Sequence, residues 1–180
     1  MKILPLILTM VPLVSFAMDL KGARPGMSKQ ELDAMFPNLA CELRSSQELE
    51  SRCETNFQGR ATPVLETLAG VKVQKWSFEF HDNRLDRVSL FFDAENFEVV
   101  EKALTTKYGK PGVARSAVQN IFGATFEQRA ISWRQGKDEI VGFRFLGTHK
   151  TSGLVLTGSE GQKRIDEKAK GEAARRAKDL

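Results

Sequence analysis

The stretch VKVQKWSFEFHDNRLDRVSLFFD, residues 71–93, decides the fold of this chain. Apolar and polar residues alternate along both of its ends, which is typical of strands with one buried face. The polar pair Asp82 and Asn83 separates the two runs, and such residues tolerate the left-handed backbone of a tight turn. The stretch therefore predicts an antiparallel β-hairpin.

The pairing within this hairpin can be predicted from side-chain chemistry. One register sets Phe78 opposite Val88, so that apolar side chains share a face. The same register sets Glu79 opposite Arg87, and opposite charges across strands are favourable. A shift by one residue would bring Glu79 against an aspartate. We therefore predict the first register, with an odd-length loop centred on Asn83.

A short amphipathic helix is predicted before the hairpin, in GMSKQELDAMFP, residues 26–37. Ser28 followed three residues later by Glu31 forms a capping box, in which each side chain satisfies the other residue's free amide. Pro37 ends the helix. The apolar positions recur at helical spacing and predict a buried face made of Leu32, Met35 and Phe36.

A similar pattern returns after the hairpin. Residues 93–112 predict a second helix that ends at Gly109, a residue suited to the left-handed C-cap. Residues 130–145 then predict a second hairpin around Gly136, with one more strand in residues 152–159. We expect its apolar side chains to share a face, and they are Ile131, Trp133, Val141, Phe143 and Phe145.

These elements predict an α+β fold, an antiparallel sheet with helices packed on one face. The repeated order indicates two degenerate helix-plus-hairpin halves, residues 18–93 and 94–159. Residues 160–180 are predicted to form a charged C-terminal helix or tail. Two interpretations of this tail stay open, a solvated helix and a docking arm for a partner.

The first seventeen residues, MKILPLILTMVPLVSFA, have the layout of a secretory signal peptide. Lys2 gives a positive start, an apolar stretch follows, and Ser15 and Ala17 are small residues at the cleavage position. The apolar stretch is shorter than the ~20 residues of a membrane span. We predict cleavage after Ala17, a periplasmic location and no integral membrane insertion of the mature chain. An uncleaved N-terminal anchor is the alternative.

The two cysteines, Cys41 and Cys53, are twelve positions apart. In an oxidising compartment such a pair is most simply a disulfide. By the chain-entropy estimate, closing so short a loop contributes about 3 kcal/mol to stability. The spacing fits neither a redox CxxC motif nor a zinc site.

Charge and motif content bound the function. Residues 160–180 contain seven Lys or Arg and five Asp or Glu, whereas residues 18–159 contain 19 basic and 18 acidic residues. A nearly neutral body lacks the basic footprint of nucleic-acid binding. The histidines His81 and His149 stand in no metal or catalytic spacing, and no nucleophile motif is present. We predict no nucleic-acid partner, no metal, no cofactor and no enzymatic activity.

GMSKQEL before an apolar helix, followed by a tryptophan-bearing hairpin, resembles the SmpA/BamE family of small envelope proteins. Gly26, Met27 and Ser28 match the helix start of that family, while Trp76 and Leu85 match its hairpin. The doubled organisation is also similar to the tandem-repeat architecture of the β-lactamase-inhibitor-like fold. The resemblance implies a non-catalytic, protein-binding envelope module.

The hairpin register predicts which side chains face away from the helices. This face combines arginines with an outward phenylalanine, as protein interfaces do. Its candidate binding residues are Lys75, Glu79, Arg87, Phe91, Arg134 and Arg144. The alternative is that this face has no binding role, either as a solvated polar sheet or with Phe91 covered by the C-terminal segment.

The predicted function is a periplasmic protein-binding module, that is an adaptor, inhibitor or immunity-type factor with a protein partner in the cell envelope. A small-ligand or lipid-binding protein with a pocket between helices and sheet is the alternative, and an uncharacterised enzyme is the third reading.

Overall fold

The computed structural model describes residues 17–37, 39–45, 50–55, 65–119 and 123–178. All of the predicted signal peptide except Ala17 lies outside the described residues. A 3₁₀ turn, Ala94–Asn96, leads into the second helix. In chain order the elements are α1 (Lys29–Met35), β1 (Ala40–Ser45), β2 (Glu50–Glu54), β3 (Thr67–Leu68), β4 (Val71–His81), β5 (Arg84–Asp93), α2 (Phe97–Tyr108), β6 (Gly112–Gln119), β7 (Thr125–Gln135), β8 (Asp138–Phe143), β9 (Thr151–Thr157) and α3 (Ser159–Lys178).

The strands form one antiparallel sheet, so the predicted α+β class is confirmed. Its order is β1-β2-β4-β5-β9-β8-β7-β6, and the short β3 pairs with the start of β4. The strands before α2 and those after it thus form two neighbouring groups, joined where β5 pairs with β9. The sequence did not predict β1, β2 or β6, because their polar and small residues show no strand-like alternation of apolar side chains.

The central hairpin has the predicted register over most of its length. Phe78 pairs with Val88, and Glu79 pairs with Arg87. The predicted odd-length loop is wrong. His81 pairs with Arg84 around a two-residue turn whose residues both have positive φ, and the register shifts between Glu79 and Phe80. This β-bulge leaves one extra residue, Asp86, on β5, so both registers considered for the hairpin occur, one on each side of the bulge.

Helix α1 begins with the predicted capping box. The Ser28 hydroxyl accepts a hydrogen bond from the Glu31 amide, and the Glu31 carboxylate accepts one from the Ser28 amide. Phe36 is buried and stacks on Phe78 with the ring centroids 5.9 Å apart. Met35, predicted on the same face, is 40% exposed, and its methyl group lies close to Gly22.

Both tryptophans lie buried on the side of the sheet that carries α1 and α2. The Trp76 indole donates to the Leu65 carbonyl at 2.7 Å, and the Trp133 indole donates to the Gly109 carbonyl at 2.8 Å. The second bond ties β7 to the C-terminal end of α2, where Gly109 has a φ of 83° and forms the predicted C-cap. These bonds satisfy the polar atom of each buried ring.

Strand β8 has the opposite phase to the one predicted. Ile140 pairs with Trp133 and Gly142 pairs with Ile131, so Ile140 and Gly142 face the helices. A Cβ at Gly142 would lie 2.8 Å from a Leu154 methyl and 2.9 Å from Ile131, so the core fills the space of the missing side chain. Val141 and Phe143, predicted in this core, therefore lie on the other face.

The predicted disulfide is present. Cys41 and Cys53 are directly opposite each other on β1 and β2, with an S–S distance of 2.06 Å. Cys53 is buried and Cys41 is exposed, so the bond ties the edge strand β1 to the core. Within the described ranges, no helix combines the length and apolar character needed to cross a bilayer.

Candidate functional site

The sheet has one face that packs against α1 and α2 and a second face, here called the open face, that does not. Cross-strand pairing arranges the side chains of the open face in three parallel rows. The charged row is Glu42, Arg52, Glu79, Arg87, Thr157, Glu139 and Arg134. The small row is Glu54, Ser77, Ser89, Val155, Val141 and Ser132. The phenylalanine row is Lys75, Phe91, Gly153, Phe143 and Ala130.

Five of the six predicted binding residues lie on the open face. Glu79, Arg87 and Arg134 belong to the charged row, and Lys75 and Phe91 belong to the phenylalanine row. The structure thus brings together residues of the β4–β5 hairpin and Arg134 of β7.

The sixth predicted binding residue, Arg144, does not lie on the open face. Its amide donates to the Arg129 carbonyl, and the guanidinium of Arg129 forms a bidentate pair with Glu101 of α2. The side chain of Arg144 lies 3.6 Å from Glu98, also on α2. Arg144 is therefore on the helix-bearing side. The error follows from the β8 phase, because shifting that strand by one position exchanges its two faces.

The charges of the charged row largely compensate one another. Glu79 accepts from Arg52 at 2.7 Å and lies 3.1 Å from Arg87, while Arg134 lies 2.8 Å from Glu139. Pairs as exposed as these contribute about 0.2–1 kcal/mol each. These contacts connect neighbouring side chains along the charged row.

Helix α3 approaches the open face at the charged row. A cleft of about 290 Å³ between the helix and the sheet is lined by Arg52, Glu79 and Arg87 together with Ile165 and Lys168. The helix is held by Arg164, whose Nε donates to Asp86 at 2.7 Å. From Asp166 to Ala177 the side chains are exposed, so the rest of α3 extends away from the sheet.

The phenylalanine row lies away from α3. Phe91 is four positions after Arg87 on β5, which corresponds to about 13 Å along a strand. Phe91, Phe143 and Leu146 are half-buried, and Leu146 covers Gly153, where a Cβ would lie 2.5 Å from its methyl group. The clefts along α3 do not include Phe91. The idea that the C-terminal segment covers Phe91 gains no support from these contacts.

An aromatic cluster that the sequence did not reveal continues the phenylalanine row. Phe126 shares the open face with Ala130 on β7 and contacts Phe145 edge-on, with the ring centroids 5.9 Å apart. His149 stacks on Phe126 at 5.3 Å. Both residues lie outside the predicted strands. His149 reaches Phe126 from the loop before β9. The far end of the open face is thus rich in aromatic side chains.

A second cleft, of about 480 Å³, lies between the β4–β5 turn and the start of α3. Its lining includes two carboxylates with shifted pKa values, Asp138 and Glu160. Burial raises the pKa of Asp138, although the Met18 amide donates a hydrogen bond to its carboxylate. The hydrogen bond from Lys163 lowers the pKa of Glu160. In the described part of the chain, no group of three or more His, Cys, Asp or Glu residues is placed to hold a metal ion.

The space between the helices and the sheet is filled. Trp76 and Trp133 are buried, and the Tyr108 hydroxyl donates to the Asp19 carbonyl at 2.6 Å. None of these three residues lines any of the three clefts that flank α3.

Comparison with known protein families, curated proteins and solved structures gives no match for this chain.

Proposed function

We propose that the chain is a non-enzymatic protein-binding module of the bacterial cell envelope and that its open face is the binding surface. The observation that carries this proposal is the half-exposed phenylalanine row, with its aromatic extension, on a face that neither α1 nor α2 covers. Protein interfaces combine such aromatic side chains at the centre with charged residues at the rim. Here the phenylalanine row supplies the centre and the charged row supplies one rim.

A periplasmic location, with the signal peptide cleaved after Ala17, belongs to the same proposal. The Cys41–Cys53 disulfide supports it, because such bonds form and persist in oxidising compartments. An exported protein would meet its partner in the envelope.

We propose further that residues 18–93 and 94–159 are two related halves, as in the β-lactamase-inhibitor-like fold, and that the chain is a distant relative of the SmpA/BamE proteins. The strand order supports this, since a helix precedes a group of antiparallel strands on each side of the β5–β9 contact. The Ser28–Glu31 capping box supports the proposed match at the first helix.

A small-ligand protein is the weaker alternative. Ligand sites are concave and bury most of the ligand surface. The space where that pocket was expected, beside Trp76, Trp133 and Tyr108, is occupied by packed side chains. Protein binding by a broad sheet face needs no such cavity.

Site-specific photo-crosslinking in the intact producing cells tests this proposal. A photoreactive phenylalanine analogue at Phe91 should give one discrete cross-linked protein, while the same analogue at Val99, which is 50% exposed on α2, should not. Cross-links of equal yield at both positions would contradict a specific site on the open face. Cross-links found only with the analogue at Lys170 would move the site to α3.

A further inference from the structure

The edge strand β6 has little of the usual protection of a sheet edge. Its pairing with β7 is continuous from Gly112 to Gln119, with no bulge. Every side chain in it is exposed except that of Val118, which is partly exposed, and Arg115 is its only charged residue. Exposed edge strands without charges, prolines or bulges are templates for pairing with another chain.

The opposite edge of the sheet differs. In β1 the register shifts between Leu43 and Ser45, which bends the strand. The charged residues Glu42 and Arg44 pair on the same strand, and Cys41 is linked to β2. These features discourage a further strand at β1, whereas β6 has neither a register shift nor a disulfide and has one charged residue.

We propose that β6 pairs with the β6 strand of a second copy of this chain, antiparallel and about a twofold axis at Ser116. A twofold axis perpendicular to the sheet keeps both open faces on the same side, so the pairing must be centred on one residue. Centring on Ser116 pairs the whole stretch from Val113 to Gln119. Centring on Arg115 would place two arginines opposite each other, and centring on Ala114 or Ala117 would shorten the paired stretch.

The charges of the edge complement one another in this arrangement. Arg115 lies opposite the partner's Ala117, whose neighbour on the adjoining strand is the partner's Glu127. The small alanine leaves room for the guanidinium to reach that carboxylate. Within one chain, Arg115 and Glu127 are 3.5 Å apart and both are more than 60% exposed, so both are available to the second copy. This self-complementarity favours a second copy over an unrelated extended peptide.

Cysteine scanning of β6 tests both the dimer and its register. Directly opposed residues on antiparallel strands have Cα atoms about 4.5–5.5 Å apart, within the range for a disulfide. Ser116→Cys should therefore give a disulfide-linked dimer under air oxidation. Ala114→Cys is the matched control on the same face, because its twin would lie about 13 Å away along the strand, beyond disulfide reach. Sedimentation of the unmodified mature chain should show a dimer.

Charge exchange at the same edge provides a second measurement. Arg115→Glu or Glu127→Arg alone should shift the sedimentation equilibrium to monomer, and the double exchange should restore the dimer. Arg44→Glu on β1, with the same change in charge, should leave the dimer intact.

Sedimentation as a monomer together with no cross-link at Ser116→Cys would overturn the proposal. Equal cross-linking at Ser116→Cys and Ala114→Cys would refute the register and with it the symmetric pairing. Cross-linking of Ser116→Cys only to a different envelope protein would assign the edge to a strand of that protein and would overturn the dimer.

Discussion

Arg164 on α3 binds the carboxylate of Asp86, the one residue that the β-bulge leaves unpaired on β5. A Cβ at Gly161 would lie 2.9 Å from the Asp86 carbonyl, so the helix approaches the bulge closely. The bulge thus leaves Asp86 without a cross-strand partner on β4, and its carboxylate binds α3. The local defect in the hairpin explains how a polar C-terminal helix is anchored.

Removing this anchor should free α3. Arg164→Ala should lower the free energy of unfolding by about 1–3 kcal/mol, because it breaks a charge-assisted hydrogen bond to a side chain that is 15% exposed. Hydrogen exchange should become faster in residues 159–178 while the strands stay protected. Lys163→Ala, which removes an exposed pair with Glu160, is the control and should stay within about 0.5 kcal/mol of the parent. Equal effects of the two variants would contradict the anchoring role.

The tryptophan sites test the core. Trp76→Ala or Trp133→Ala should each lower the free energy of unfolding by about 3–5 kcal/mol, because each leaves a cavity and an unpaired carbonyl. Denaturant unfolding measures this. Val99→Ala on the exposed side of α2 should change little. Near-neutral effects at both tryptophans would mean that the faces of the sheet are assigned the wrong way round.

The capping box links stability to pH. The hydrogen bond from the Ser28 amide lowers the pKa of Glu31 in the folded chain. The ionised carboxylate therefore stabilises the fold above the pKa it has in the unfolded chain, and this contribution is lost as the pH falls through the lowered pKa. Glu31→Gln keeps a hydrogen-bond acceptor but does not titrate.

Thermal midpoints recorded from neutral to acid pH compare the two chains. The difference between parent and Glu31→Gln should shrink as the pH falls below the unfolded pKa. A difference that is the same at every pH would show that the Glu31 charge does not contribute.

Local chemistry along the chain was enough to predict the capping box, the central register and the disulfide, since each depends on residues that are close in sequence. The phase of β8 was not predictable in this way. Gly142 has no apolar side chain that would mark it as a core position, and its place in the core shows only in the packing of Ile131 and Leu154 around it. The error carried over to Arg144. The contact between Phe126 and His149 was missed because both residues lie outside the predicted strands.

Cleavage of the signal peptide should place a positive charge beside Asp138, which lines the second cleft. If the mature chain starts at Met18, the buried Met18 nitrogen that donates to Asp138 becomes a cationic amine. Burial raises the pKa of Asp138, and a nearby cation opposes that effect. The mature chain should therefore melt at a higher temperature at neutral pH than a chain extended by Ala17, and Asp138→Asn should abolish the difference.

The cleavage itself is tested by N-terminal sequencing. Sequencing of the periplasmic fraction should find MDLKGARP, and recovery with an intact leader in membranes would overturn the cleavage.

The central claim, binding through the open face, is tested most directly by the double variant Arg87→Glu with Phe91→Ala. Phe91 is half-buried and Arg87 is paired at the surface, so the fold should lose only about 1–2 kcal/mol. Truncating a central aromatic or arginine in an interface costs 2 kcal/mol or more in binding. The matched control is Val99→Ala with Lys102→Glu, two exposed changes on α2.

The measurement is the yield of the protein partner identified by cross-linking at Phe91, co-purified with each folded variant. We expect the open-face variant to lose the partner and the α2 variant to retain it. Retention of the partner by the folded open-face variant, with loss on deletion of residues 160–180, would contradict the account and would place the binding site on α3.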